Sequence, residues 1–399
     1  MRNGVVEMEA NIFSSGKVHG FFSPNKIILG PGSSNLVGHE AKTLGGKKAL
    51  IVTDQGIIKT GMTEAIKESL LSSNVDVVLF DRVELETPSR LIREGARFAR
   101  DEKCDVLVAL GGGTTLDTTK GISVMAANKG SVLDYVGVNR VPIKGLPKIM
   151  IPTTGGSGSE VTRGFGVTDE TEKTKKAVSS LYNLADVVIL DPLLTLSLPP
   201  LLTAETGLDA LAHAIEAYVS QGATPFSDLL ALEAIRLVGK SLLPAYAKGK
   251  TVEARLDMLL AATLAGLAFS SGGLGAVHAF SFVLESDHGM GHARAVAAIL
   301  PHVMEFNKVG ALRKYGSIAV ALGEKTEGLS DFHAAGVAVT AVRRMLEATN
   351  ISSRLSDYGI SEDNMPGLVA GTLKQDRLFV SNPRNLTEQD VRNIYLRAL

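Results

Sequence analysis

Asp209 and His213 lie four positions apart in the stretch 206–216. At helical spacing they share one face, one turn apart, with Glu216 beside them, while Leu208, Leu211, Ala212 and Ile215 make an adjoining apolar stripe. Two donors whose separation is fixed by helix hydrogen bonds are what a divalent cation needs. A bare Asp-x-x-x-His more often forms only a hydrogen bond on a helix surface. Two later histidines shift that balance. His278, within Leu274-Gly275-Ala276-Val277-His278-Ala279-Phe280, and His292, within Gly289-Met290-Gly291-His292-Ala293-Arg294, sit among small or apolar residues, in a chain with eight histidines in all.

On these residues the chain resembles the iron-containing (group III) alcohol dehydrogenases. Asp209, His213, His278 and His292 match that family's four metal ligands, including the 14-residue step from His278 to His292. The resemblance runs from about Phe21 to the closing Asn382-Pro383-Arg384. Such a donor set suits Fe²⁺, with Zn²⁺ as the alternative, and the resemblance implies hydride transfer between a nicotinamide and a small alcohol or aldehyde whose oxygen the metal polarises. Two positions depart from the family pattern. Phe282 stands where many members carry a histidine, and the fourth ligand's setting is Gly291-His292-Ala293-Arg294. His288, four residues before His292, competes as a ligand or a proton-transfer group, with the spacing favouring His292 as ligand. Arg163 and Arg294 beside the motifs could face an anionic substrate tail, although solvent or an interface is the commoner fate of such arginines. Phe165 and Phe282 could instead wall a short alkyl chain.

The elements that must position these groups read as two halves. Continuous apolar runs at 25–32, 48–54, 75–80, 105–110, 148–151 and 187–190, with helical segments such as 62–72 between them, indicate βαβ units and a parallel sheet buried on both faces. Pro88 opens the helix after the third run, in its first turn. From Leu193 onward the helical period dominates, with 227–238, 252–268 and 334–349 as further helices. The predicted fold is therefore an α/β nucleotide-binding domain, 1–190, with a mainly parallel sheet, followed by an all-α metal-binding domain, 191–399. Ser270-Ser271-Gly272-Gly273 predicts a bend that brings His278 round to the first helix.

Cofactor chemistry gathers at two strand ends. The 105–110 run enters Gly111-Gly112-Gly113-Thr114-Thr115-Leu116-Asp117, where glycines admit close approach and a helix N-terminus offers free N–H groups to a pyrophosphate. A glycine-rich turn alone leaves phosphate binding and a tight connection equally open. The resemblance favours the former, since Gly112, Gly113, Thr114 and Asp117 match the family's Gly-Gly-Ser-x-x-Asp cofactor motif, with threonine for serine. It implies that Asp54 contacts the adenosine ribose, where a carboxylate repels a 2′-phosphate and so favours NAD over NADP. It also implies that Thr153, Thr154 and Thr162 line the nicotinamide side. Lys175 matches a lysine near the ribose, although Lys173 and Lys176 crowd the same turn, which could equally be a solvated basic one.

Composition excludes several classes. With 41 Lys+Arg against 42 Asp+Glu the formal charge is −1, so no global field favours nucleic acid or an anionic membrane. Residues 1–17 hold Glu7 and Glu9 and no apolar run of signal-peptide length, and no stretch reaches the roughly 20 residues of a membrane span. A cytoplasmic protein is expected, with the resemblance implying a homodimer or larger assembly. Cys104 is the only cysteine and reads as an inert core thiol. A glycerol-dehydrogenase-like zinc polyol dehydrogenase and a catalytically silent nucleotide-binding assembly protein are the competing readings. A dehydroquinate-synthase-like lyase would need lysines and arginines dense around the metal, which the segments near Asp209 and His278 lack.

Overall fold

The computed structural model describes residues 19–399 apart from position 173; residues 1–17, read above as lacking a leader, lie outside the described residues. Among the described residues the strands are β1 (Lys26–Leu29), β2 (Lys48–Val52), β3 (Asp76–Phe80), β4 (Val106–Gly111), β5 (Gly137–Val138), β6 (Lys148–Pro152), β7 (Gly164–Asp169), β8 (Thr174–Ser179) and β9 (Val187–Leu190). Six of them pair in parallel in the order β1-β9-β6-β4-β2-β3. The six apolar runs read from the sequence are these six strands, and β4, at the middle of the sheet, is buried along its whole length. The remaining strands form a small sheet in the order β5-β8-β7, with β7 and β8 an antiparallel hairpin. Residues 174–176, left open above as a solvated basic turn, are therefore the start of a strand.

Helices α1 (Val37–Thr43), α2 (Gln55–Ile58), α3 (Met62–Ser72), α4 (Ser89–Asp101) and α5 (Gly113–Ala127) alternate with the first strands. Pro88 caps α4 from outside rather than lying in its first turn. After β9 come α6 (Pro200–Val219), α7 (Pro225–Ala247), α8 (Val252–Gly272), α9 (Ala276–His288), α10 (His292–Asn307), α11 (Leu312–Ala321), α12 (Asp331–Ala348), α13 (Met365–Leu373), α14 (Asp376–Phe379) and α15 (Glu388–Ala398). No single described helix is long and apolar enough to cross a membrane. Cys104 is buried just before β4, and burial pushes its thiol up to about 11, which leaves it protonated and unreactive at neutral pH.

The helices after β9 pack around their own core, and a smaller cluster joins that half to the sheet by setting Leu267 of α8 against Leu116, Met150, Val161 and Val188. The backbones come closest where Gly158 meets Gly266. A Cβ on Gly266 would lie 2.6 Å from the Gly158 carbonyl oxygen, and Gly158 has the left-handed φ of +62°. Gly266→Val should therefore overpack this junction and destabilise the protein by about 1–3 kcal/mol, read as a lower thermal midpoint with the helical content retained.

Candidate metal centre and cofactor cleft

Helix α6 begins with Pro200 in its first turn and is buried over nearly its whole length, so Asp209 and His213 project into protein rather than solvent. Helix α8 stops at Gly272, and Gly273, with φ +89°, lets the chain turn through 107° into α9. That is the bend expected from the glycine pair. The start of α9 is held by Asn382, whose Oδ1 accepts the Ala276 N–H at 3.2 Å, and by Glu216, whose Oε1 accepts the Val277 N–H at 2.6 Å. The closing Asn382-Pro383-Arg384 segment thus seats the turn that carries His278. Gly289, left-handed at φ +66°, ends α9, and His292 opens α10.

These turns bring the four predicted ligands together, with one donor atom from each lying within 4.8 Å of all the others. Asp209 Oδ1 is the shared neighbour, 3.7 Å from His213 Nδ1, 4.0 Å from His278 Nε2 and 3.8 Å from His292 Nε2. His213 and His278 face each other through their Nε2 atoms at 3.0 Å. Bonds of about 2.0–2.2 Å to one ion place neighbouring donors about 3–4 Å apart, so the Asp209 Oδ1 separations from His278 Nε2 and His292 Nε2 fit, and His213 offers one of its two ring nitrogens to the same group. The decisive feature is what is missing from the hydrogen-bond network: Asp209 Oδ1 and His213 Nδ1 are buried without a partner. An unpaired buried carboxylate oxygen costs several kcal/mol unless a cation compensates it.

Two outer carboxylates set the rings. Glu216 Oε2 takes His278 Nδ1 at 2.6 Å and Glu285 Oε2 takes His292 Nδ1 at 3.1 Å, so each ring turns Nε2 inward. Burial, with the neighbouring imidazoles adding to it, lowers His213 to about 3 against the pull of Asp209, which keeps it a neutral donor. Burial also opposes charge on His278, but Glu216 outweighs it and raises that ring above the ordinary histidine value. At Glu285 burial works upward, yet His292 and then Lys175 hold the carboxyl down at about 2. Phe269 stacks on His213 at 4.6 Å, and Phe282 stacks on His292 at 5.9 Å. His292, 31% exposed, is the open side of a group otherwise sealed.

Most of the residues expected at the cofactor lie along the sheet's carboxyl edge, while Lys175 is on β8 of the small sheet. Helix α5 starts without a side-chain cap, which leaves its first N–H groups available to an anion. The glycines there answer to close approach: a Cβ on Gly113 would meet Ser157 at 2.8 Å, and one on Gly112 would meet Thr154 at 3.5 Å. Asp54 caps α2 through Oδ1, with Gly56 and Ile57 N–H donating at 2.8 and 3.1 Å, and its Oδ2 is 3.5 Å from Thr115 Oγ1. Thr153 N–H donates to Gly111 at 3.0 Å. Asp117 is a strut between layers, accepting Ser159 Oγ on one oxygen and the Gly166 N–H at 2.8 Å on the other. Thr162 Oγ1 accepts from Lys120 Nζ at 2.9 Å. Lys175 Nζ lies 2.7 Å from Glu285 Oε1.

Other candidates sit elsewhere. His288 ends α9, half-buried and outside the converging four. Phe165 is buried among Ile92, Val124, Val167 and Val178 and cannot wall a substrate. Arg294 Nε is held by Glu205 at 2.5 Å, and the Arg163 guanidinium lies over the Phe22 ring at 5.9 Å. Sequence reasoning missed Glu285, whose signal would have been an acid seven positions before His292, one turn from Ser281 on the same helix face. It also missed Lys120, three residues after Asp117. Fully buried, Lys120 donates to Ser159 Oγ, Thr162 Oγ1 and the Gly164 carbonyl at 2.8, 2.9 and 2.8 Å, while burial lowers it to about 8 against Asp117 and Glu160.

Residues 24–192 match the family model described as iron-containing alcohol dehydrogenase, and residues 203–399 match the C-terminal model of the Fe-containing alcohol dehydrogenase family. The chain is 40% identical over 380 residues to the 1,3-propanediol dehydrogenase of Citrobacter freundii, covering 95% of this chain and 98% of that one. It is 38% identical over 379 residues to the NAD-dependent methanol dehydrogenase of Bacillus methanolicus, covering 95% and 99%. The crystal structure of a 1,3-propanediol oxidoreductase superposes with a TM-score of 0.94 at 38% identity, covering 96% of this chain and 100% of that one.

The unpaired carboxylate gives a sharp expectation. In metal-free protein, Asp209→Asn should stabilise the fold by on the order of 1–3 kcal/mol by removing a buried, uncompensated charge, while the same variant no longer retains metal. Denaturant unfolding after chelation, paired with metal analysis of the untreated proteins, checks both halves.

Proposed function

The chain belongs to the iron-containing alcohol dehydrogenase family, and from that premise we propose that it interconverts a small primary alcohol and its aldehyde or ketone with NAD, using Fe²⁺ held by Asp209, His213, His278 and His292. The observation that carries this is Asp209 Oδ1, buried, without a hydrogen-bond partner and ringed by three imidazole nitrogens. The donor set also accepts Zn²⁺. NAD rather than NADP follows from Asp54 at the end of β2, since a carboxylate there repels a 2′-phosphate. The zinc polyol dehydrogenase and silent assembly readings are not favoured by the family models that match.

When bound, the metal supplies a Lewis acid for the substrate oxygen and the nicotinamide supplies the hydride acceptor or donor. The chain's residues do the rest by position. The uncapped start of α5, with Gly112, Gly113 and Thr114, receives the pyrophosphate, and Thr153 and Thr154 border the cleft in front of it. Asp117 and Thr162 act in this reading by holding the 159–166 segment in place. Glu216 keeps the His278 proton on Nδ1 and its Nε2 turned inward. Phe269 and Phe282 exclude water around the imidazoles, and Phe282 contributes shape and no proton.

The substrate reading is an uncharged alcohol with a short apolar chain. Phe282 supports it, and so does Arg294, whose charge is already met by Glu205. A cytoplasmic location is part of the same reading, and so is a homodimer or larger homo-oligomer, the latter supported by β1, the edge strand of the sheet among the described residues, whose Leu29 is exposed. So is a division into an α/β unit, 1–190, and a helical unit, 191–399, supported by the separate core of the helices.

Metal analysis with an NADH-absorbance screen tests the function. His278→Ala should lose bound metal and turnover while retaining NAD binding, and full activity in that variant without metal would refute the reading. Across a panel, 1-propanol and 1,3-propanediol should exceed 3-hydroxypropanoate in kcat/KM by at least about tenfold, because the Phe282 ring offers an anion neither charge nor hydrogen bond in return for its lost hydration.

A further inference from the structure

Lys175 ends on a carboxylate of the helical half. It rises from β8, and its ammonium lies 2.7 Å from Glu285 Oε1, the oxygen opposite the one that receives His292 Nδ1 at 3.1 Å. The chain of contacts continues through the ring to His292 Nε2, 3.8 Å from Asp209 Oδ1. Glu285 is 9% exposed, whereas Lys175 reaches it from a partly open position, 32% exposed. His278 has a different arrangement. Its carboxylate, Glu216, takes its second hydrogen bond from the backbone N–H of Val277, so that ring is fixed entirely within the helical half. His292 is the most exposed of the three imidazoles and the one whose orienting carboxylate is anchored by a side chain from the other half.

We propose that Lys175 is a positioning residue of the metal centre: it locks the Glu285 carboxylate in the orientation that turns His292 Nε2 toward Asp209. This rests on the metal-centre reading above and refines it. Charge supports it as well as geometry. By formal count, three carboxylates and a divalent ion sum to −1, and the Lys175 ammonium brings the sum to zero. A buried group closed to zero net charge holds its ion without an uncompensated anion at its edge. Because Lys175 stands on the β7–β8 hairpin, and Asp117 of α5 bonds the Gly166 N–H of that hairpin, the fourth ligand is braced by the same layer that builds the phosphate turn.

The test uses the full-length protein and Zn²⁺ as a redox-silent probe in competition with a chromophoric chelator, alongside NADH binding to metal-free protein by fluorescence. Glu285→Gln should weaken Zn²⁺ binding by about 10–100-fold and Lys175→Met by at least about threefold, with Lys175→Arg restoring most of the loss. The double variant Lys175→Met/Glu285→Gln should bind no more weakly than Glu285→Gln alone, since both substitutions break one chain of contacts. Unchanged Zn²⁺ affinity in Lys175→Met, or a loss confined to NADH, would overturn the proposal and make Lys175 a cofactor residue. A wild-type protein that takes up no Zn²⁺ would instead overturn the metal-centre reading, and this inference with it. Should Lys175→Met fail to fold, Glu285→Gln, which keeps the side chain's shape, decides from the other end: wild-type affinity there overturns the proposal.

Discussion

A carboxylate oxygen sealed from water and given no proton donor is the constraint around which this molecule is built. Asp209 Oδ1 has three imidazole nitrogens around it at distances too long for hydrogen bonds. Left alone, that arrangement opposes folding, because the anion has lost its hydration and received nothing in return. The surroundings nonetheless maintain it. Glu216 and Glu285 draw the Nδ1 atoms of two rings outward, burial keeps His213 neutral, and Phe269 and Phe282 close the sides. Each choice favours a cation in the middle and disfavours a proton there. Stability is surrendered locally so that binding can recover it.

The second constraint is how the helical half sits on the sheet, and a buried polar layer between them fixes it. Lys120 draws in Ser159, Thr162 and Gly164, Asp117 draws in Ser159 and Gly166, and Glu160 takes the Thr263 hydroxyl of α8 at 2.7 Å. Such a fully satisfied network specifies one arrangement more sharply than apolar packing alone. The Gly158–Gly266 approach then removes the freedom to slide. Residues that look like ligand contacts when written as a motif are, in part, the fasteners of the loop that makes contact.

How far the sequence could be read follows from the range of each signal. The six parallel strands were legible because burial on both faces leaves continuous apolar runs, and α6 because its period is strong. The β7–β8 hairpin was not, since Lys175 and Lys176 at the start of β8 spend their charges on Glu285 and Asp169, partners no local pattern reveals. His278 and His292 were legible as polar groups in apolar company, and the resemblance supplied their role. Glu285 was hidden for the opposite reason: an acid near the end of a helix is ordinary, and only its distance to His292 distinguishes it. Phe165 and Phe282 looked equivalent in the sequence, yet one is core and the other faces the imidazoles. Side-chain direction on a strand and on a helix face decides that, and composition does not record it.

The bend at Gly273 also bears on how the protein comes into being. The donors are divided between α6 and the α9–α10 pair, and the second group reaches the first only after α8 has run its length and the chain has turned back. Coordination is thus a product of tertiary assembly and of no local segment. During synthesis a ribosome-bound chain has only Asp209 and His213 to offer until His278 and then His292 have left the exit tunnel, so the emerging polypeptide cannot gather all four donors early, and loading must follow the docking of α9 onto α6.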